Sequence, residues 1–123
     1  CGLLLKSNRD ASRCLELRIE SGMKRLSLVN LPMDVDPFWR ESCTNVGTPK
    51  NPGPDGIRVC EKPFLFKEGE VIDVKVVMDK DMVEIFIGER AAFTYRVYEK
   101  TEYEIGFMAQ DGKVEFFDIE VVK

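Results

Sequence analysis

At 123 residues the chain has the size of one domain and enough length to bury a core. Its net charge of −4, with both signs mixed along the chain, weighs against nucleic acid, whose phosphates call for a basic patch. No apolar run is long enough to cross a bilayer as a helix, so no membrane role is expected, and no long block of like charge forms an interaction tail.

The chain opens on Cys1-Gly2-Leu3 rather than Met, with apolar residues at once. The expectation is a fragment, the C-terminal part of a larger protein, cytoplasmic or secreted. Residues 2–6 (GLLLK) read as a buried strand and residues 7–12 (SNRDAS) as a turn. From Cys14 to Glu20, Leu15, Leu17 and Ile19 alternate with Glu16, Arg18 and Glu20. That period of two predicts a half-buried strand. Ser21-Gly22 turns it, and Lys24 to Asn30 alternates again through Leu26 and Leu28, completing a hairpin.

Leu31 to Asp55 breaks the rhythm with Pro32, Pro37, Pro49, Pro52 and Pro54, and a loop of that length is often functional. Strand periodicity returns from Gly56 to Lys62, followed by packing residues Pro63 to Phe66 and a turn at Lys67 to Glu70. Val71 to Tyr98 predicts a three-strand meander, with polar turns at Asp79-Lys80-Asp81 and Gly88-Glu89-Arg90. Glu102 to Ala109 and Lys113 to Val122 complete the pattern around a tight turn at Gln110-Asp111-Gly112. About nine short strands without helical period predict an all-β fold. The expected architecture is a two-sheet antiparallel β-sandwich, jelly-roll or concanavalin-like, forming a single module over residues 1–123.

Chemistry is sparse. Histidine is absent, which removes the usual Ser and Cys triads and the usual zinc sites. Cys1, Cys14, Cys43 and Cys60 form no C-x-x-C pair and read as free thiols. Were a disulfide present, Cys43 with Cys60 would be the pair, because the loop between them would gain most from closure. Glu84, Glu115 and Glu120 are candidates for the paired carboxylates of glycoside hydrolysis, but strand alternation makes them solvated faces. Asp34, Asp36 and Asp55 match no calcium-loop spacing, so no metal or other cofactor is expected. Phe38, Trp39, Arg40 and Glu41 combine aromatic rings with polar groups in one loop, the mixture that stacks on sugar faces and bonds hydroxyls. The plainer reading is that Trp39 anchors the loop over a sheet.

Several stretches carry a family likeness. Asp79-Lys80-Asp81-Met82-Val83-Glu84-Ile85-Phe86-Ile87-Gly88 resembles the D-x-S-x-V-E-V-F-V-N strand and turn of the C-terminal β-sandwich module in glycoside hydrolase family 32, which includes invertases, levanases and inulinases. Ala92 to Tyr98 is similar to that module's A-L-T-S-R-V-Y-P, Gly2 to Ser7 to its G-L-L-L-R-x, and Ile105 to Val122 to its closing hairpin. Gly88 in place of the turn Asn and the Pro-rich loop suggest a divergent branch.

The resemblance implies a β-fructosidase-like parent. Its chemistry would lie in an upstream five-bladed propeller, whose W-M-N-D-P-N-G, R-D-P and E-C signatures do not occur here. It implies that this chain alone is not an enzyme but a non-catalytic accessory module docked on the catalytic domain of the same parent chain. The alternative is a carbohydrate-binding, lectin-like domain that contacts oligosaccharide through Phe38 to Glu41, although galectin motifs are absent. A module that normally docks should leave an apolar face uncovered when alone, or cover it by forming a homodimer.

Overall fold

The computed structural model describes residues 1–31, 57–97 and 104–122. Among these residues the fold is all-β, with eight strands in two antiparallel sheets. They are β1 (Gly2–Ser7), β2 (Cys14–Glu20), β3 (Arg25–Leu31), β4 (Ile57–Pro63), β5 (Val74–Asp79), β6 (Met82–Ile87), β7 (Ala91–Arg96) and β8 (Glu104–Met108). The larger sheet runs β4-β3-β2-β1-β8 and the smaller β5-β6-β7. The sandwich, the β2–β3 hairpin and the β5–β7 meander agree with the periodicity.

Alternation explains the core. In the larger sheet, Leu3 and Leu5 stand opposite Leu17 and Leu15, which in turn face Leu28 and Asn30. Cross-strand partners share one face, so Leu5, Leu15, Leu17, Leu26 and Leu28 form one wall of the interior. Val83, Ile85, Ile87, Phe93 and Val97 form the other wall, with Phe64 packed among them. All eleven residues are buried, and burying an aliphatic or aromatic side chain contributes about 1.5–3 kcal/mol each. Phe64 is fixed from outside by the Arg90 guanidinium, 3.8 Å from its ring centroid, which also pairs with Glu70.

The turns hold the expected residues. Asp79 pairs with Met82, so Lys80-Asp81 is a two-residue connection, and Lys80 takes φ 53°. At the next turn Gly88 takes φ 53°, a left-handed conformation that glycine adopts without a Cβ clash. Lys6 links the sheets. It lies at a register shift in β1, is buried, and its Nζ donates to the Lys80 carbonyl across the interior.

Two details of the layout decide what remains open. The Lys62 ammonium sits 5.7 Å from the Phe93 ring centroid, which places β7 over β4. Sheets share one strand spacing, so three strands cannot cover five. Among the described residues the less covered end is the β1–β8 side. There Ile105 and Phe107, on the inner face with Leu3, remain 40% and 45% exposed.

Two expectations are corrected. The first strand of the meander starts at Val74 rather than Val71, which is exposed and lies ahead of the ladder. Residues 113–122, expected as the last strand, enter no ladder with another described residue and bend at Asp118, which takes φ 53°. Alternation qualifies a segment for a sheet, but a strand also needs a neighbour's edge. Cys1 and Cys60 are free thiols, and Cys43 lies outside the described residues.

Candidate functional site

The outer face of the larger sheet carries the densest polar chemistry among the described residues. Strand alternation places Glu16, Arg18 and Glu20 of β2 there, opposite Val29, Ser27 and Arg25 of β3. A bulge in β4 adds two more charges. The register shifts between Leu28 and Val29, so Val59 and Cys60 both pack against the core while Arg58 and Glu61 both turn outward. Without that extra residue, Arg58 and Glu61 would face opposite sides. With it they form an ion pair at 3.4 Å.

Glu20 is the hub of this cluster. Arg25 donates to both of its oxygens, from Nε at 2.7 Å and Nη2 at 3.2 Å. The Ser27 hydroxyl donates to the same carboxylate at 2.5 Å and itself accepts from Arg58 Nε at 3.2 Å. Arg25 reaches on to Glu61 at 3.2 Å. The hydrogen bonds from Arg25 hold the Glu20 carboxyl down to about 2, against a smaller opposing effect of burial, with Ser27 and the charges of Arg25 and Arg58 adding to the depression. A carboxyl that stays ionised far below neutral pH cannot act as a general acid there. The cluster holds two arginines and two glutamates whose charges are matched to one another. It braces β2, β3 and β4 rather than presenting a reactive group.

Beside it lies a cleft of about 590 Å³ between the β2–β3 turn and the chain leaving β8. Arg18, Glu20 and Gln110 supply its polar lining, and Ile19, Met23 and Met108 its apolar one. Glu16, on the same face, is buried and pairs with Arg18 at 2.8 Å. This arrangement can offer hydrogen bonds and apolar contact; Cys1 and Ser21 also line it, and among the described residues no hydrogen bond joins either side chain to a base.

The residues singled out from sequence fall as follows. Phe38, Trp39, Arg40 and Glu41 lie outside the described residues, as do Asp34, Asp36, Asp55 and Cys43. Glu84 sits on the outer side of β6, opposite Val77 and Thr94, whereas Glu115 and Glu120 are exposed on the unpaired segment. The structure does not gather the three into one site. Among the described residues no group of three or more Cys, Asp or Glu is placed to hold a metal ion. Arg96 finds an acid, Asp81, at 3.9 Å. The Glu20 cluster was missed from sequence, although charges of both signs at period two on two adjacent predicted strands, Glu16-x-Arg18-x-Glu20 and Arg25-x-Ser27, are its signal.

The lineage of the domain is decided by one comparison. A family model described as "Glycosyl hydrolases family 32 C terminal" matches residues 42–123. The chain belongs to that family. The match takes in β4, β8 and the whole smaller sheet, and so includes the meander whose D-K-D-M-V-E-I-F-I-G centre carries the likeness. No curated protein and no solved structure matches the chain. As a family 32 C-terminal domain it is a glycosyl hydrolase module, and its β-sandwich architecture is the frame on which the polar face and the cleft are built.

Proposed function

We propose that this domain is a non-catalytic accessory module of a β-fructosidase-like glycosyl hydrolase, packing against the catalytic domain of the same parent chain and stabilising it. The observation that carries this reading is the family match over residues 42–123. The chemistry of the described residues supports it. The best-connected carboxylate, Glu20, is held ionised within a charge-matched network, and the remaining candidate acids stand apart. Such a face suits a rigid support, because every charge on it already serves a neighbour.

The test is an assay of the isolated chain on sucrose, levan and inulin, reading released fructose. No release above a protein-free control is expected at any enzyme concentration. Release that scales with the amount of chain would overturn the reading and place catalysis within these residues.

A further inference from the structure

The cleft beside the β2–β3 turn lies in line with β1. Its walls are Glu20 to Met23 at the far end of β2 and Met108, Gln110 and Asp111 at the far end of β8, with Cys1 between them. In the larger sheet β1 is the strand between β2 and β8. Those two neighbours therefore stand two strand spacings apart, about 9–10 Å. The cleft continues that gap past Cys1, at a level where β2 and β8 still flank it.

The register states what fits the gap. Cys1 and Ile19 exchange both backbone bonds: the Ile19 N–H donates to the Cys1 carbonyl at 2.7 Å, and the Cys1 nitrogen to the Ile19 carbonyl at 3.2 Å. This is the hydrogen-bonded pair of an antiparallel ladder, and it continues the register that sets Gly2 opposite Arg18. One step further, the position ahead of Cys1 faces Glu20, and the next faces Ser21. On the other flank Gly2 stands opposite Met108, so the position directly ahead of Cys1 faces Gln110. Glu20, Ser21 and Gln110 all line the cleft.

The backbone donors agree with that register. Hydrogen-bonded pairs alternate along each flank of an antiparallel strand. After Ile19 the next such position on β2 is Ser21, and after Met108 the next beyond β8 is Gln110. Neither the Ser21 nor the Gln110 N–H has a backbone acceptor among the described residues. Two main-chain donors on opposite walls of a slot one strand wide call for the carbonyls of an extended chain.

We propose that the cleft is the seat of the segment that enters β1 from the catalytic domain of the parent chain, lying between β2 and β8 as an upstream extension of β1. The proposal rests on the accessory reading, because a family 32 C-terminal module receives its chain from the domain before it. The extension gives the connection two hydrogen-bonded flanks. It fixes the direction in which the preceding domain departs, where a free linker would let that domain swing. The competing occupant is a sugar, but no aromatic ring for its apolar face stands among the described lining residues.

The test is hydrogen exchange on the intact parent enzyme, read residue by residue by mass spectrometry. The Ser21 and Gln110 amides should exchange about tenfold or more slower than in an unstructured peptide. Proline placed two residues ahead of Cys1 should release the Ser21 amide and leave β6 unchanged, because proline lacks the N–H and does not fit a central strand. A second variant pairs Ser21→Cys with a cysteine at that same upstream position. Facing residues of a hydrogen-bonded pair have Cα atoms about 5.5 Å apart, so mild oxidation should join the two as a disulfide. Peptide-like exchange at Ser21 and Gln110 would overturn the proposal. So would protection that survives the proline, or two thiols that stay free on oxidation. These readouts fail separately from the accessory reading, whose own test is the Tm of the parent without the module.

Discussion

Replacing Glu20 with Gln tests the charge network at its hub. The substitution keeps the size of the side chain and removes the charge that accepts two hydrogen bonds from Arg25 and one from Ser27. The folded carboxyl titrates at about 2 rather than 4.5. At about 1.4 kcal/mol per tenfold change, the full difference corresponds to roughly 3 kcal/mol. The Glu20 side chain is 23% exposed and its partner Arg58 36%, so solvent screening reduces the expected loss to about 1–2 kcal/mol at pH 7. The sign follows from linkage. A carboxyl with a depressed folded value stabilises the fold fully above its unfolded value and loses that contribution as pH falls toward the folded one. The gap between wild type and Glu20→Gln should therefore narrow by about half or more between pH 7 and pH 3. Urea denaturation followed by circular dichroism at both pH values reads this gap directly. An equal gap at the two pH values would refute the electrostatic origin, and no gap at pH 7 would refute the network itself.

Three further outcomes follow from the packing and from the sequence. Ile85→Ala, at a fully buried position on the central strand of the smaller sheet, should cost about 2–5 kcal/mol in the same denaturation experiment, with little change if the sheets do not pack there. Gly2→Ala should weaken the β1–β2 pairing, because a Cβ would meet the Leu17 carbonyl oxygen at 2.0 Å, and faster exchange of the β1 amides would show it. Titration of the chain with fructans and other glycans, followed by Trp39 fluorescence, should give no saturable change, whereas a saturating signal would establish the loop from Phe38 to Glu41 as a sugar contact.

What could be read in advance follows the range of the interaction. The β2–β3 hairpin and the meander were legible because their ladders join neighbours in the chain, and alternation such as Leu15, Leu17 and Ile19 states which face is buried. The placement of β8 beside β1 was not, since it joins residues about a hundred positions apart and no local pattern names that partner. The β4 bulge was also hidden. Ile57 and Val59 suggested simple alternation, but the inner face takes Val59 and Cys60 together. The last segment shows the same limit from the other side. Its alternation from Lys113 to Val122 is clear, yet no other described residue pairs with it in a ladder, and the only signal for the kink at Asp118 is that Asp tolerates the left-handed region better than most residues. Of the candidate site, the loop residues were chosen for their chemistry, while the Glu20 cluster needed three strands in register before its charges met.

The accessory role is tested most directly by the thermal stability of the parent enzyme with and without residues 1–123. If the module supports the catalytic domain, its removal should lower the parent's Tm by several degrees while the kcat of the molecules that remain folded is unchanged. An unchanged Tm, or a kcat abolished in fully folded enzyme, would contradict a supporting role.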